Sequence, residues 1–392
     1  MSNSYIVSAV RTPIGKYLGG LSSTSAPTLG AESIRAALEQ SDITLDRVDE
    51  VIMGNVLSAG VGQAPARQAA LAAGCPPSVA AVTVNKVCGS GLKAVMLADQ
   101  AIRLGDADVI VAGGMENMSR VPHLLMNTRG GWKFGDQTAI DCMTHDGLTC
   151  STENVGMGEL AEYIAEQHDI SRADQDAFAA ESHRRAIDSR SAGRFESEIV
   201  PVTVSTRRQE VVVSDDEGPR DDTTTETLAK LPTAFRSDGT VTAGNASQLS
   251  DGAAALGVTN ESIARDSNSP LKARIVASAT SGVAPKDLFI APVSAIEKVL
   301  AKAKMSMDDI DLVELNEAFA AQCLACMRPL KLDHDKVNVH GGAIALGHPI
   351  GASGARVLVT LLHALTARGA SRGLASLCLG GGNAVAMIVE II

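Results

Sequence analysis

Residues 38–52 read LEQSDITLDRVDEVI, and residues 300–314, offset by 262 positions, read LAKAKMSMDDIDLVE. Asp46, Val48, Asp49 and Val51 fall on Asp308, Ile310, Asp311 and Val313; upstream, Ile34 and Leu38 fall on Ile296 and Leu300. Each copy carries the apolar spacing of an amphipathic helix, then a short polar loop, then the apolar run of a buried strand. A helix-loop-strand unit that recurs in the same order predicts a chain built from two related halves. With small indels the match extends. Ile6-Val7-Ser8-Ala9 resembles Ile275-Val276-Ala277-Ser278, and the apolar run ending Gly113-Gly114 resembles the one ending Gly380-Gly381-Gly382.

Working outward, short apolar runs alternate with helical patterns in both halves. The expected strands are 6–10, 50–53, 81–84 and 109–112 in the first half and 274–279, 312–315, 337–339 and 374–377 in the second. The expected helices include 29–40, 92–104, 293–304 and 354–367. This alternation predicts an α/β fold of parallel strands with helices on both faces. Between the halves lies an excursion from about residue 119 to residue 248, with helical stretches at 158–168 and 172–190. It holds 13 basic and 22 acidic residues, whereas residues 1–118 hold 8 and 10 and residues 249–392 hold 13 and 13. Nearly all the net charge therefore sits in this insert, expected to be a solvated subdomain over one end of the sheets.

The chain has 392 residues, 45% apolar and 20% charged, enough for a large soluble core. Its formal charge is −11 with only ten aromatics, which argues against a nucleic-acid surface needing a basic field and stacking platforms. Seven cysteines without a readable signal peptide point to a reducing, cytoplasmic compartment rather than a disulfide framework. Two of the longest uncharged runs, 337–355 and 373–389, are Gly-rich and do not read as membrane spans.

Four places carry candidate chemistry. Cys88, in NKVCGSGLKA, stands where a strand runs through a small-residue turn into a helix. There the unpaired N–H groups and the dipole are expected to lower a thiol pKa and to offer an oxyanion donor. His348 stands in GGAIALGHPIGASG, a loop with five glycines that lets backbone approach a ligand. Cys378 precedes Gly380-Gly381-Gly382 at a strand's C-terminal end, where α/β sheets place ligands. Asn316 opens Asn316-Glu317-Ala318-Phe319; capping of the next helix is an equal reading for it. Cys323-x-x-Cys326 reads as two small core residues, not a metal or redox pair.

Together these stretches resemble the thiolase family. NKVCGSGLKA (85–94), GGMENMSRVPH (113–123), TAGNASQLSDGAAA (242–255), LNEAFAAQ (315–322), GGAIALGHPIGASGAR (341–356) and CLGGGNAVAM (378–387) run collinearly across the chain. Residues 129–149 are similar to the short-chain branch. The resemblance implies two duplicated βαβαβαββ halves forming a five-layered α-β-α-β-α core. In residues, these are 1–118 plus 249–270, an inserted loop domain at 119–248, and 271–392. It implies Cys88 as acylated nucleophile, His348 as its base, Cys378 as the acid/base at the second thioester, and Asn316 holding a water that with His348 binds the enolate oxygen. The N–H groups of Cys88 and Gly380 would bind the acyl carbonyl. Leu148, Met157, Phe235, Ala243, Ser247 and Phe319 would line the pantetheine channel, with Arg220 and Thr227 toward the adenine.

The implied activity is reversible, ping-pong condensation of two acetyl-CoA, with CoA and acyl-CoA as substrates and no permanently bound cofactor or metal. A homotetramer touching through segment 120–140 is implied as well. A broader 3-ketoacyl-CoA thiolase and a non-catalytic acyl-CoA-binding homologue are the alternatives. Three departures from the family pattern stand out. Gly156 occupies a common His position, Ala384 follows the triple glycine, and SGVAPKDLFIAPVSA (281–295) replaces the usual Met-Gly wall.

Overall fold

The computed structural model describes residues 3–205 and 209–392. Positions 1–2 of the expected first half and 206–208 of the expected insert lie outside the described residues. The principal strands are β1 (Ser4–Arg11), β2 (Glu50–Gly54), β3 (Ala80–Val84), β4 (Val109–Asn117), β5 (Ser250–Asn260), β6 (Ala273–Gly282), β7 (Leu312–Leu315), β8 (Arg372–Leu379) and β9 (Asn383–Ile391). The principal helices are α1 (Ala26–Ser41), α2 (Pro65–Ala73), α3 (Ser90–Leu104), α4 (Met157–Gln167), α5 (Arg172–Ser191), α6 (Ala291–Ala303), α7 (Ala320–Leu330) and α8 (Ile350–Arg368).

The repeat is visible in hydrogen bonds. Helix α1 ends at Asp42 with φ 55°, and α6 ends at Lys304, its counterpart, with φ 56°. In the first half the carboxylate of Asp49 accepts from the N–H groups of Asp108 (2.8 Å) and Val109 (2.9 Å), which pins the start of β4. In the second, Asp311 accepts from Ser371 (2.9 Å) and Arg372 (2.8 Å), which pins the start of β8. The aspartates that aligned in sequence thus do the same work twice.

Strand order is β7-β8-β9-β6-β1-β5-β4-β2-β3. Among the described residues the sheets of the two halves join at two β1–β6 pairs, Tyr5 with Arg274 and Ile6 with Ala273. Helices α3 and α8 pack on each other and against strands of both halves, so they form the middle layer. Helices α1 and α2 cover the outer face of the first half and α6 that of the second, completing five layers. Helix α8 is long and apolar enough to cross a membrane, but 89% of that stretch is buried, as befits a central core helix.

The sheet is mixed, which corrects the expectation of parallel strands. β2 pairs in parallel with β3 and β4, and β7 with β8, but β5 and β9 enter antiparallel. β9 follows β8 through a tight turn with Gly381 and Gly382 at φ 79° and 82°, a geometry that closes an antiparallel hairpin. β5 and β9 are both absent from the expected strands. The strand expected at 337–339 is reduced to one bridge, Val337 with Val313. Asn338 turns away at φ 49°, and its side-chain amide takes the place of a ladder, accepting from Leu315 N (2.9 Å) and donating to Leu315 O (2.8 Å).

The insert's acidity is only partly solvated. Arg11 at the end of β1 is fully buried; its guanidinium donates to Glu198 (2.6 Å) and to Asp216 (2.7 and 2.9 Å). These two carboxylates clamp the insert to the core, because a buried charge persists only when paired.

Candidate active site

Helices α3 and α8 begin beside each other because glycines allow it. A Cβ on Gly91 would lie 2.6 Å from the Ala355 nitrogen, and one on Gly354 would collide with the nitrogen of Leu92. The helices therefore approach backbone to backbone at their N-terminal turns. Cys88 lies two residues before α3, and His348 two residues before α8. The close crossing carries both side chains to one end of the middle layer.

The turn before α3 is held against its own preference. Val87, a β-branched residue, adopts φ 47°, which costs of order 1–3 kcal/mol unless its surroundings fix it. They do so through three bonds. Asn85 Oδ1 accepts from Val87 N (3.0 Å), Ser90 Oγ accepts from Lys86 N (2.8 Å), and Ser90 Oγ donates to Val87 O (2.6 Å). A cavity of about 530 Å³ opens over this turn, lined by Cys88, His348, Cys378 and Gly380 together.

The same cavity is lined by Leu148, Met157, Phe235, Ala243, Ser247 and Phe319. All six expected channel residues therefore share one wall system with the expected chemistry. Arg220 and Thr227 do not line it. Arg220 stands at His183, 3.4 Å from Nε2, and Thr227 closes a capping box with Thr224. Met118, Leu249, Leu288, Phe289 and Ile350 line the cavity without having been singled out. Leu288 and Phe289 come from the wall whose sequence departs from the family pattern, the available signal for them. Gly156 also lines the cavity, and a Cβ there would meet nothing within 4 Å.

Burial sets the protonation states. The Cys88 thiol is pushed up to about 12 by burial, opposed by its own N–H and that of Gly380. This reverses the expectation of a lowered pKa, since the loss of water around a thiolate outweighs the helix start. His348 is pushed down to about 3, by burial first and the Arg356 guanidinium second. Cys378, only 1% exposed, is also raised well above an ordinary thiol by burial and by Cys88. The resting site thus holds neutral thiols beside a neutral imidazole, and charge must be created during reaction.

Asn316 is fully buried and does not cap a helix, for Phe319 occupies the N-cap of α7. Its Nδ2 lies 3.5 Å from His348 Nε2, and its Oδ1 has no partner among the described residues. Glu317, next in sequence, accepts from Ser182 of α5 (2.7 Å), Asn338 (2.9 Å) and Ile344 N (3.1 Å). It ties the Asn316 loop, the Gly-rich loop before His348 and the insert into one unit. Glu116 does likewise at the other wall, accepting from Val56 N (3.1 Å), Leu57 N (3.2 Å), Asn55 Nδ2 (2.8 Å) and Gly351 N (2.9 Å). Cys323 and Cys326 are buried, bonded to Asn316 O and Phe289 O respectively, and no group of metal-ligating side chains occurs among the described residues.

Family models for the thiolase N-terminal domain and the thiolase C-terminal domain match residues 4–262 and 269–391. The chain belongs to the thiolase family. Among thiolases it is 54% identical over 391 residues to the acetyl-CoA acetyltransferase of Escherichia coli (strain K12), covering 100% of this chain and 99% of that protein. An acetyl-CoA acetyltransferase of Pseudomonas aeruginosa is 53% identical over 388 residues, covering 99% of each. The crystal structure of the Bacillus anthracis acetyl-CoA acetyltransferase superposes with a TM-score of 0.98 at 44% identity, covering 100% of this chain and 99% of that one.

Proposed function

We propose that this thiolase is an acetyl-CoA C-acetyltransferase, an acyltransferase that reversibly condenses two acetyl-CoA to acetoacetyl-CoA and CoA by a ping-pong route. The observation that carries this reading is the convergence of Cys88, His348, Cys378 and Gly380 on one largely apolar cavity, with Asn316 against His348. Cys88 attacks the first thioester while His348 takes and keeps the thiol proton, and the Cys378 thiol protonates the departing CoA thiolate, which leaves Cys378 as the thiolate base for the next step. The N–H groups of Cys88 and Gly380 face the acyl carbonyl, and donors so placed are worth about 10²-fold or more in rate each. Cys378 then removes an α-proton from the second acetyl-CoA, and a water held by Asn316 beside His348 binds the enolate oxygen. The carbanion attacks the acyl carbon, the Cys88–acyl bond breaks, and the Cys88 sulfur takes its proton back from His348. A thiolate suits this work because it is both nucleophile and leaving group.

CoA and acyl-CoA enter as substrates, with no cofactor resident. We assign the halves to 1–118 plus 249–270 and to 271–392, and the CoA-binding insert to 119–248. Arg220 and Thr227, both exposed, are the proposed adenine-end contacts outside the cavity. A homotetramer is proposed through segment 120–140, whose Leu125, Met126, Trp132 and Phe134 are exposed apolar side chains. A cytoplasmic location agrees with seven free cysteines.

The decisive experiment is a thiolysis series over acyl length. The proposal expects kcat/KM for acetoacetyl-CoA to exceed that for 3-ketohexanoyl-CoA by 10-fold or more, on the order of ~1–3 kcal/mol for misfitted methylenes. Equal or rising values with length assign the chain to broad 3-ketoacyl-CoA degradation instead.

A further inference from the structure

Ser353, in the first turn of α8, belongs to none of the roles above, yet its Oγ lies 2.6 Å from His348 Nδ1 and is fully buried. The hydroxyl has one proton, and the carbonyl of Pro349, 2.9 Å away, can only accept it. With the proton there, an Oγ lone pair faces Nδ1 and the imidazole supplies the proton from Nδ1. On the opposite side of the ring the Asn316 amide stands 3.5 Å from Nε2 with Nδ2 set toward it, the orientation that a bare Nε2 accepts.

We propose that Ser353 is the positioning residue that locks His348 as the Nδ1–H tautomer, leaving Nε2 as the lone pair that receives the Cys88 proton. A neutral imidazole has one protonated nitrogen, and which one is set by the partner of the other. Ser353 is itself fixed, because Pro349 caps α8 and its carbonyl also accepts from Ser353 N (2.9 Å) and Ala352 N (2.8 Å). The His348 backbone is held as well, its N–H donating to Gln248 O (3.0 Å) and Ser250 Oγ (3.2 Å). Cys88, His348 and Ser353 thus form a relay of nucleophile, base and orienting group whose last acceptor is a backbone carbonyl rather than a carboxylate. The uncharged acceptor fits a ring that burial holds neutral: a carboxylate there would favour imidazolium, whereas a hydroxyl selects a tautomer without adding charge.

This inference rests on Cys88 and His348 as nucleophile and base, and the test separates the two. ¹⁵N-histidine NMR of the substrate-free enzyme, with the His348 signals found by comparison with His348→Asn, reads the tautomer without any turnover. The expected spectrum shows His348 protonated at Nδ1 and bare at Nε2; an Nε2–H signal overturns the proposal whatever the activity. In Ser353→Ala the Nδ1–H population falls and kcat for acylation drops on the order of 10²-fold, the low end for a general base, with KM for acetyl-CoA within about 2-fold. Ser353→Thr, which keeps the hydroxyl, restores both the spectrum and kcat. Wild-type kcat in Ser353→Ala overturns the proposal. If wild-type enzyme incubated with labelled acetyl-CoA acquires no label at Cys88, the catalytic reading fails while the tautomer assignment stands.

Discussion

Cys88 is where local and global physics disagree. A helix start alone favours a thiolate, but the cavity that lets an acyl chain in also removes the water a thiolate needs. Burial that raises the thiol and lowers the imidazole favours the neutral pair at rest over thiolate–imidazolium. Alkylation of Cys88 by iodoacetamide is therefore expected to speed up about tenfold per pH unit through pH ~9 with no plateau. A plateau beginning near pH 6–7 is the signature of a standing ion pair and would refute this. The two cysteines also separate by stage. Cys88→Ala loses both label from acetyl-CoA and turnover, by ~10⁴-fold or more, whereas Cys378→Ala still takes up label but does not condense. Condensation at the normal rate by Cys378→Ala would remove it from the mechanism.

At the scale of elements, the site exists because two helix starts touch. Gly354→Ala sets a methyl into the backbone of Leu92, so α3 and α8 must part and His348 moves away from Cys88. Overpacking of this kind costs about 1–3 kcal/mol, and kcat is expected to fall with thermal stability. Glu116 offers a pH-dependent check on the other wall. Burial lifts its carboxyl to about 7, so between the unfolded carboxyl pKa and 7 the folded chain binds the extra proton. Stability from this group is therefore greatest at low pH and declines as pH rises through that window. Denaturant titrations should give Glu116→Gln a lower stability overall, by about 1–3 kcal/mol for its orphaned N–H partners, and a flatter profile from pH ~4.5 to 7 than wild type. Parallel pH profiles for the two proteins would contradict the buried, titrating carboxylate.

Elements also mark how far the sequence could be read. Helices α1 and α6 and the strands after them were legible because each half writes the pattern out with an aspartate at the same place. β5 was not, since SDGAAALGVTN is small residues with little β-branching, and its strand form comes from lying between β1 and β4. The failed strand at 337–339 shows the reverse: the propensity is right, but Asn338 satisfies Leu315 with a side chain and ends the ladder. The site followed the same rule. Cys88, His348, Cys378 and Asn316 are legible from glycine-rich surroundings and family resemblance. Ser353 and Glu116 are ordinary polar residues whose importance lies in what folding sets against them.

For the molecule as a whole, charge is the open term. The chain carries a formal −11, and the CoA expected in its cavity brings phosphates of the same sign. Among the described residues the cavity lining contains no lysine or arginine, so attraction at the acyl end is apolar and the nucleotide meets the field of the insert. Some of that field is spent internally, since Arg11 offsets one of the two charges on Glu198 and Asp216, but the remainder repels an anion over roughly a Debye length, ~30 Å at 0.01 M salt and ~8 Å at 0.15 M. Raising ionic strength from about 0.01 to 0.15 M is thus expected to lower KM for acetyl-CoA by about 2-fold or more with kcat unchanged, because screening removes long-range repulsion and leaves the apolar contacts intact. If KM instead rises steeply with salt, local cations such as Arg220 dominate, and Arg220→Ala should then abolish the salt dependence.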